Sequence, residues 1–439
     1  MRPAAGLALA LLWMSLTLGA GNAADWAVVP SITARTEFNS NLNYDFVAPK
    51  SDYIFTLAPA AEFNYTTDIG QLQGRLGLTG LHYLSNGQLD HIDQNFQING
   101  RYQAAPRWNL TLKTAYISDS TLTEELLTSG LIMTRTPRQS IQAAPGVTYA
   151  LTERLAATVN YNFNRVMYQS PQFQDYTTQQ VGLQLVQQLK NEKTALIGNV
   201  LARFTQYPAE NTFRSIGLYL GVNHKFSPDW QVNLVGGINQ TYMNFQNQVL
   251  NASPSFIQVG EVQFQTFFIQ AQQVKVKKTE MDPYVDFSVT RRWTNLSVTG
   301  GYSRDQAPSA NTSISDNNHI YLSLNYNFTE RFSGSLNGDW FLANQISDIN
   351  TQRSDYLNVG PQVTYKITEE LSLSPGYRFG LREDNVNGVR TANAQIVWLM
   401  LNYTQLSVAS EKAPTPVGTK PASTIGIERP STAGRYLTF

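Results

Sequence analysis

Histidine and carboxylate side chains are the residues of this sequence best suited to acid–base chemistry. The four histidines, His82, His91, His224 and His319, are far apart along the chain. Only the stretch "DHID", Asp90 to Asp93, puts a histidine between carboxylates, an arrangement that can activate water. A solvated start of a loop explains this stretch better. The sequence contains no G-x-S-x-G, H-E-x-x-H or Walker pattern. It therefore predicts no catalytic residue, no metal site and no cofactor, and we expect a protein that is not an enzyme.

Positively charged and amide side chains form a second candidate set, because they alternate with apolar residues along extended segments. Such alternation turns the polar residues toward one common face. The predicted pore-lining residues are Arg35, Arg75, Arg101, Lys113, Arg203, Lys366, Arg378, Arg382, Asn160, Asn162 and Asn325. The carboxylates that share this face are Glu37, Glu62, Asp286 and Asp339. The cationic excess favours anionic or highly hydroxylated solutes. The alternative is that these charges pair with one another across a water-filled interior.

The elements that position these residues are β-strands. In "LAATVNYNFNRV", Val159, Tyr161 and Phe163 point to one side, and the intervening asparagines point to the other. The same alternation recurs from Ser31 to Tyr403 in segments of about 10 to 15 residues, the length of a tilted membrane strand. A soluble sandwich would not repeat a wet polar face on nearly every strand. The pattern favours an apolar face toward lipid and a polar face toward an aqueous interior.

The connections between these segments alternate between short turns and longer polar loops. Counting the segments predicts an all-β fold, a transmembrane antiparallel β-barrel of about 18 strands (16–20), with short periplasmic turns and long extracellular loops. Aromatic residues such as Trp108, Trp230 and Phe332 adjoin the short turns and predict a periplasmic aromatic girdle. The stretch from Asn247 to Lys278 is the candidate for an inward-folded loop, and part of it could also form an extra hairpin.

Composition and the two ends of the chain complete the domain assignment. Lys plus Arg and Asp plus Glu are both 32, so no nucleic-acid partner is expected, and without cysteine no disulfide can form. Residues 1–23 resemble a secretory signal peptide, with Arg2, an apolar run and small residues before the cleavage site. Residues 24–404 form the barrel. Residues 405–439, rich in Pro, Ser and Thr, predict a flexible periplasmic tail. Both termini would be periplasmic.

The assembly signal has two candidates. The last predicted strand, "ANAQIVWLMLNYTQ", and the aromatic C-terminus, "GRYLTF", both resemble the segment that the barrel assembly machinery reads. The expected surroundings are the outer-membrane lipid and lipopolysaccharide of a Gram-negative bacterium.

Three N-terminal stretches resemble the porin-2 type outer-membrane barrels that occur beside exopolysaccharide and exosortase loci. They are "DWAVVPSITARTEFNSNLN", "DYIFTLAPAAEFNY" and "GRLGLTGLHY", with Ser40-Asn41 where the family often has Asp-Asn. The resemblance implies a conduit for an extracellular polysaccharide, with periplasmic polysaccharide-export proteins as partners. The alternative is a general or solute-selective diffusion porin, and an outer-membrane enzyme is a remote third reading.

Overall fold

The computed structural model describes residues 25–122, 135–208, 211–259, 262–310, 312–346, 352–385, 388–405 and 408–409. The predicted signal peptide, residues 1–23, and nearly all of the predicted tail, residues 405–439, lie outside the described residues. Within these ranges, no helix has the length and hydropathy needed to cross a membrane.

The described chain forms a closed antiparallel β-barrel of 18 strands, which confirms the predicted fold class. Each strand pairs with the one before it, and β18 pairs with β1 from Ser31↔Thr404 to Asn39↔Ile396. The strands are β1 Asp25–Asn39, β2 Asp52–Thr66, β3 Gly70–Tyr83, β4 His91–Ala105, β5 Trp108–Ser120, β6 Pro137–Ala150, β7 Leu155–Tyr168, β8 Tyr176–Gln188, β9 Thr194–Gln206, β10 Thr212–Ser227, β11 Trp230–Val259, β12 Val262–Arg292, β13 Leu296–Pro308, β14 Ile314–Asn327, β15 Phe332–Ile346, β16 Gln352–Lys366, β17 Leu371–Asn385 and β18 Val389–Thr404.

Closure matters because it gives every strand of the wall a hydrogen-bonded neighbour on both sides. The short pair Val408–Ala409 continues along β1, opposite Val28 and Ala27.

The outer face of the barrel is apolar because the register brings alternate hydrophobic residues together on neighbouring strands. Val159 of β7 lies opposite Leu183 of β8, and Tyr161 lies opposite Val181. Val159 is 52% exposed and Leu183 is 45% exposed, although both are large and apolar. An exposed apolar band of this kind is the surface that a transmembrane barrel presents to lipid.

The two ends of the barrel differ in how the strands are connected. At one end, here called the turn end, every connection joins an even-numbered strand to the next odd-numbered one. These connections have only two to five residues each. At the other end, the loop end, the first and third connections are longer, spanning residues 40–51 and 84–90. At these two connections the longer loops agree with the sequence pattern, whereas β17 and β18 are joined by only residues 386–388.

Aromatic rings surround the turn end, as the predicted girdle requires. Trp108 packs on Tyr149 with ring centroids 4.6 Å apart, and Phe226 stacks on Trp230 at 4.4 Å. Trp108 remains 45% exposed and Phe226 50% exposed. Rings at this position match the level where amphipathic aromatic side chains meet a lipid headgroup region.

The stretch from Asn247 to Lys278 differs from the prediction of an inward-folded loop or an extra hairpin. Its described backbone continues β11 and β12 in one ladder, from Trp230↔Arg291 to Val259↔Val262. β10 pairs with β11 only as far as Asn244, and β13 pairs with β12 only as far as Val285. The stretch is therefore a two-stranded extension of the wall, and it adds no strand to the barrel.

Candidate functional site

Strand register shows which side chains point into the barrel. The large exposed apolar side chains occupy one set of alternate positions on each strand, so the other set faces the interior. The eleven residues predicted to line the pore all occupy interior positions: Arg35, Arg75, Arg101, Lys113, Asn160, Asn162, Arg203, Asn325, Lys366, Arg378 and Arg382. Their role in selecting a solute stays a prediction.

The asparagines occupy open positions on the interior face. Asn160 pairs across the sheet with Gly146 on one side and Gly182 on the other, and its side chain lies over Gly182, where a Cβ would collide with it. Asn162 is exposed, and Asn325 donates from Nδ2 to the Ser323 hydroxyl at 3.4 Å. Amides without a charge can hydrogen-bond water and passing polar solutes alike.

Three of the predicted cations are paired with carboxylates on the same face. Arg35 forms an ion pair with Glu37, and Arg75 approaches Glu62 at 3.5 Å. Arg382 donates from Nε and from a terminal nitrogen to the two carboxylate oxygens of Asp384, at 3.1 and 2.7 Å. The alternative of charges paired within the interior therefore holds for these three residues.

Most of the remaining cations have no carboxylate partner among the described residues. These are Arg101, Lys113, Lys366 and Arg378, whereas Arg203 forms no close ion pair but interacts electrostatically with Asp305. Of the predicted carboxylates, Asp339 lies 2.9 Å from Nε2 of His319. Asp286 forms no close ion pair with a cation in the part of the chain that the structure describes. Pairing thus neutralises three of the predicted interior cations, and the interior positions of β4, β12 and β13 also carry the carboxylates Asp93, Asp282 and Asp305.

Arg101 and Lys113 are diagonal neighbours on adjacent strands of the interior wall. Arg101 lies opposite Thr111 on β5, and Lys113 is two residues further along that strand. Side chains in this diagonal relationship on one face have Cβ atoms about 7–8 Å apart. Both residues are exposed, so two like charges stand side by side on the interior wall.

The connection between β1 and β2, residues 40–51, folds against the interior face near the loop end. Tyr44 is buried with Phe341, Tyr356, Ala392 and Ala394, which belong to the interior faces of β15, β16 and β18. Its backbone has φ 54°, a left-handed conformation that a bulky residue seldom adopts without support from its surroundings. This inward-packed segment was missed by the sequence analysis, which placed the inward fold at Asn247 to Lys278.

The inward-packed segment changes the environment of Arg382. The Arg382 guanidinium lies 5.5 Å from the ring centroid of Phe46, and the residue is only 1% exposed. Its guanidinium is covered and ion-paired. Arg382 thus occupies an interior position, and its predicted pore-lining role stays a prediction.

A second inward contact comes from the turn between β13 and β14. Tyr207 donates a hydrogen bond from its hydroxyl to the Ser309 carbonyl at 2.7 Å. Arg203 donates to the Gln306 carbonyl at 2.7 Å and to Gln180 at 3.2 Å. Beyond Arg304, β13 no longer pairs with β12. The last residues of β13 therefore contact the interior face of β9. The Arg203 guanidinium therefore stabilises the position of this turn by hydrogen bonding to Gln306.

Lys366 lies at the turn end, in a shallow cleft beside Asn327 and Glu330. Its backbone N–H donates to the Arg331 carbonyl at 2.8 Å. Arg378, by contrast, lies seven residues from the loop end of β17, close to Trp398 and Arg35. The free cations therefore extend along the barrel instead of forming one ring.

The predicted acid–base stretch forms two separate histidine–carboxylate contacts. Asp90 pairs with His82 at 2.7 Å, whereas His91 faces Asp93 at 3.3 Å. The backbone N–H of Tyr83 and the His82 side chain both hydrogen-bond to the Asp90 carboxylate, and they lower its pKa. These contacts anchor the connection between β3 and β4. Among the described residues, no group of three or more His, Asp or Glu is arranged to hold a metal ion.

Comparison with known proteins gives a family model and a set of barrels. The family model described as "Putative MetA-pathway of phenol degradation" matches residues 276–398, which run from β12 into β18. No curated protein matches the chain in sequence.

Several solved structures are similar to this chain at a low TM-score. OccK9 (OpdG) of Pseudomonas aeruginosa is 11% identical, with 87% of this chain and 98% of that chain covered and a TM-score of 0.43. OccAB3 of Acinetobacter baumannii is 13% identical, with 87% and 99% covered and a TM-score of 0.41. The outer membrane channel DcaP of Acinetobacter baumannii is 11% identical, with 87% and 97% covered and a TM-score of 0.40. At this low identity and TM-score, the similarity does not indicate which solute this chain would transport.

Proposed function

We propose that the protein is a bacterial outer-membrane channel for the diffusion of small anionic solutes. The observation that carries this proposal is the set of interior cations without carboxylate partners, above all Arg101, Lys113 and Arg378. Charges of one sign on the wall of a narrow aqueous path raise the local concentration of the opposite ion. The exposed apolar outer face and the aromatic rings at the turn end support a position in the outer membrane, with the turn end in the periplasm.

A small solute fits this interior better than a polysaccharide. The segment of residues 40–51 and the turn between β13 and β14 both occupy interior space near the loop end, through Tyr44 and Ser309. Each is held by buried hydrogen bonds, so a polymer of sugar units would have to displace them. Export of a polysaccharide with periplasmic export partners was the first reading of the sequence, and the contacts of these two segments favour the diffusion channel instead.

The direct test is the reversal potential of the purified channel in a planar lipid bilayer under a gradient of potassium chloride. We expect the sign of the reversal potential to show that chloride is more permeant than potassium. Because the wall charges are screened over about 10 Å at 0.1 M salt, the preference should decline as the mean salt concentration rises. A cation-selective or unselective channel at low salt would overturn the proposal.

A further inference from the structure

Two glycines frame Arg378 on the interior face of β17. Gly376, Arg378 and Gly380 are successive interior residues of this strand. A Cβ at position 376 would collide with the Trp398 indole, and a Cβ at position 380 would collide with the Tyr44 phenol. Glycine at these two positions therefore lets two aromatic side chains lie directly against the sheet. Arg378 extends from the wall between them.

A second arginine reaches the same indole from the other neighbouring strand. Arg378 pairs with Ile396 and Arg35 pairs with Met400, so each arginine is a diagonal neighbour of Trp398 on β18. The Arg35 guanidinium lies 4.6 Å from the Trp398 ring centroid, and that of Arg378 lies 5.6 Å from it. Both distances fall within the range of cation–π contacts. One indole thus holds two guanidinium groups close together.

The charge of this cluster is not balanced. Glu37 pairs with Arg35, but no carboxylate of the described residues pairs with Arg378. Two like charges in a partly desolvated position repel each other, and a bound anion would relieve that repulsion. The cation–π contacts hold the guanidinium groups in place while leaving Arg378 donors available to a ligand.

Neutral hydroxyl groups complete the site on the loop side. The hydroxyls of Tyr44 and Tyr356 are 3.0 Å apart and both are buried. Burial raises the pKa of Tyr44, so its hydroxyl keeps its proton at neutral pH. In such a pair one hydroxyl donates to the other, and the accepting hydroxyl keeps its own hydrogen for another acceptor.

We propose that Arg378, supported by Arg35, Trp398 and the Tyr44–Tyr356 pair, is a binding site for a small organic carboxylate midway along the channel wall, on the turn side of the Tyr44–Tyr356 pair. The planar guanidinium of Arg378 matches the two oxygens of a carboxylate. The inference rests on the proposed function, because it names a solute class and the residue that binds it. A carboxylate held here would pause on its way through the barrel.

The test uses succinate as the probe and single channels of the full-length protein in planar bilayers. Succinate should interrupt the chloride current of the unchanged channel. In Arg378→Gln the half-blocking concentration should rise about tenfold, equivalent to 1.4 kcal/mol. Arg378→Lys keeps the charge but not the planar fork, and it should give an intermediate value. Arg353→Gln is the matched control, since Arg353 lies on the outer face and pairs with Asp355, and it should leave the half-blocking concentration unchanged.

Arg101→Gln separates a site from a diffuse field, because Arg101 is also an interior cation without a carboxylate partner. A smaller effect of Arg101→Gln than of Arg378→Gln supports the site. Equal effects of the two variants overturn the site and leave the anion channel intact. If succinate does not block the unchanged channel although that channel prefers anions, the site is likewise overturned and the anion channel stands. If the unchanged channel does not prefer anions, the proposed function itself fails. Heat-modifiable gel mobility confirms that each variant is folded, and Arg378→Lys carries the test if Arg378→Gln does not fold.

Discussion

The hydroxyl groups of Tyr44 and Tyr356 meet 3.0 Å apart, although the two residues are 312 positions apart in the sequence. Their rings also contact edge to face, with centroids separated by 5.6 Å. This contact ties the segment of residues 40–51 to the interior face of β16. It holds the segment in the interior near the loop end.

Gly380→Ala should loosen the inward-packed segment, because the added Cβ would collide with the Tyr44 phenol. We expect a larger single-channel conductance, or frequent transitions to a larger one, in a barrel with unchanged heat-modifiable mobility. Gly338→Ala is the control, since a Cβ at that outer-face position would have neighbours no closer than 3.9 Å. Equal conductance in both variants and in the unchanged channel would show that Tyr44 does not narrow the path.

Tyr44→Phe tests the hydrogen bond alone. It keeps the ring but leaves the buried Tyr356 hydroxyl without this partner, a loss of about 1–3 kcal/mol from the packing of the segment. We expect the segment to be cleaved faster than in the unchanged protein when a protease is added to the loop end. Tyr102→Phe, at an exposed outer position, should leave the cleavage rate as it was. A rate for Tyr44→Phe equal to that of the control would show that the ring, not the hydroxyl, holds the segment.

The buried pair of Arg138 and Asp119 should matter for stability. Arg138 donates from Nε and from a terminal nitrogen to the two Asp119 oxygens, each at 2.9 Å. Replacing Arg138 by Gln breaks this buried bidentate ion pair, and breaking a buried pair costs about 3–5 kcal/mol. Urea unfolding in detergent measures the loss. The exposed pair of Arg353 and Asp355 serves for comparison, and Arg353→Gln should cost less than about 1 kcal/mol. Similar losses in the two variants would contradict the assigned burial.

The two faces of the wall can be tested with one added charge on each. Phe287→Arg places a charge on the outer face, where it costs roughly 2–4 kcal/mol at the level of the membrane centre. We expect poor assembly, seen as little heat-modifiable protein in the outer membrane. Asn325→Arg places the same charge on the interior face and should assemble normally. The opposite result would mean that the interior and outer faces are reversed.

Alternation was a reliable guide wherever only one face of a strand is apolar. Asn160 and Asn162 were placed on the interior face from the sequence, and the register agrees. β18 is apolar on both faces, with Ile396, Trp398 and Met400 buried on the interior side, so alternation gives no signal there. The Trp398 cluster was therefore not predictable from β18 itself.

Contacts between segments that are distant in the chain also could not be predicted from the alternation of residues. The packing of Tyr44 on β15 to β18 depends on barrel closure, which brings β1 beside β18. The stretch from Asn247 to Lys278 is, from the sequence alone, a candidate for an inward-folded loop, and part of it alternates as an extra hairpin would. The structure extends the β11–β12 ladder through it, since the same alternation that forms a wall strand also supports a two-stranded ribbon.

The central claim is that unpaired interior arginines make the channel prefer anions. Its most direct test is the reversal potential of the double variant Arg101→Glu with Arg378→Glu, in a potassium chloride gradient at low mean salt. Both residues occupy interior positions, so the barrel should fold while its preference for chloride falls or reverses. The contradicting result is a folded double variant with the same reversal potential as the unchanged channel, which would show that these arginines do not set the selectivity.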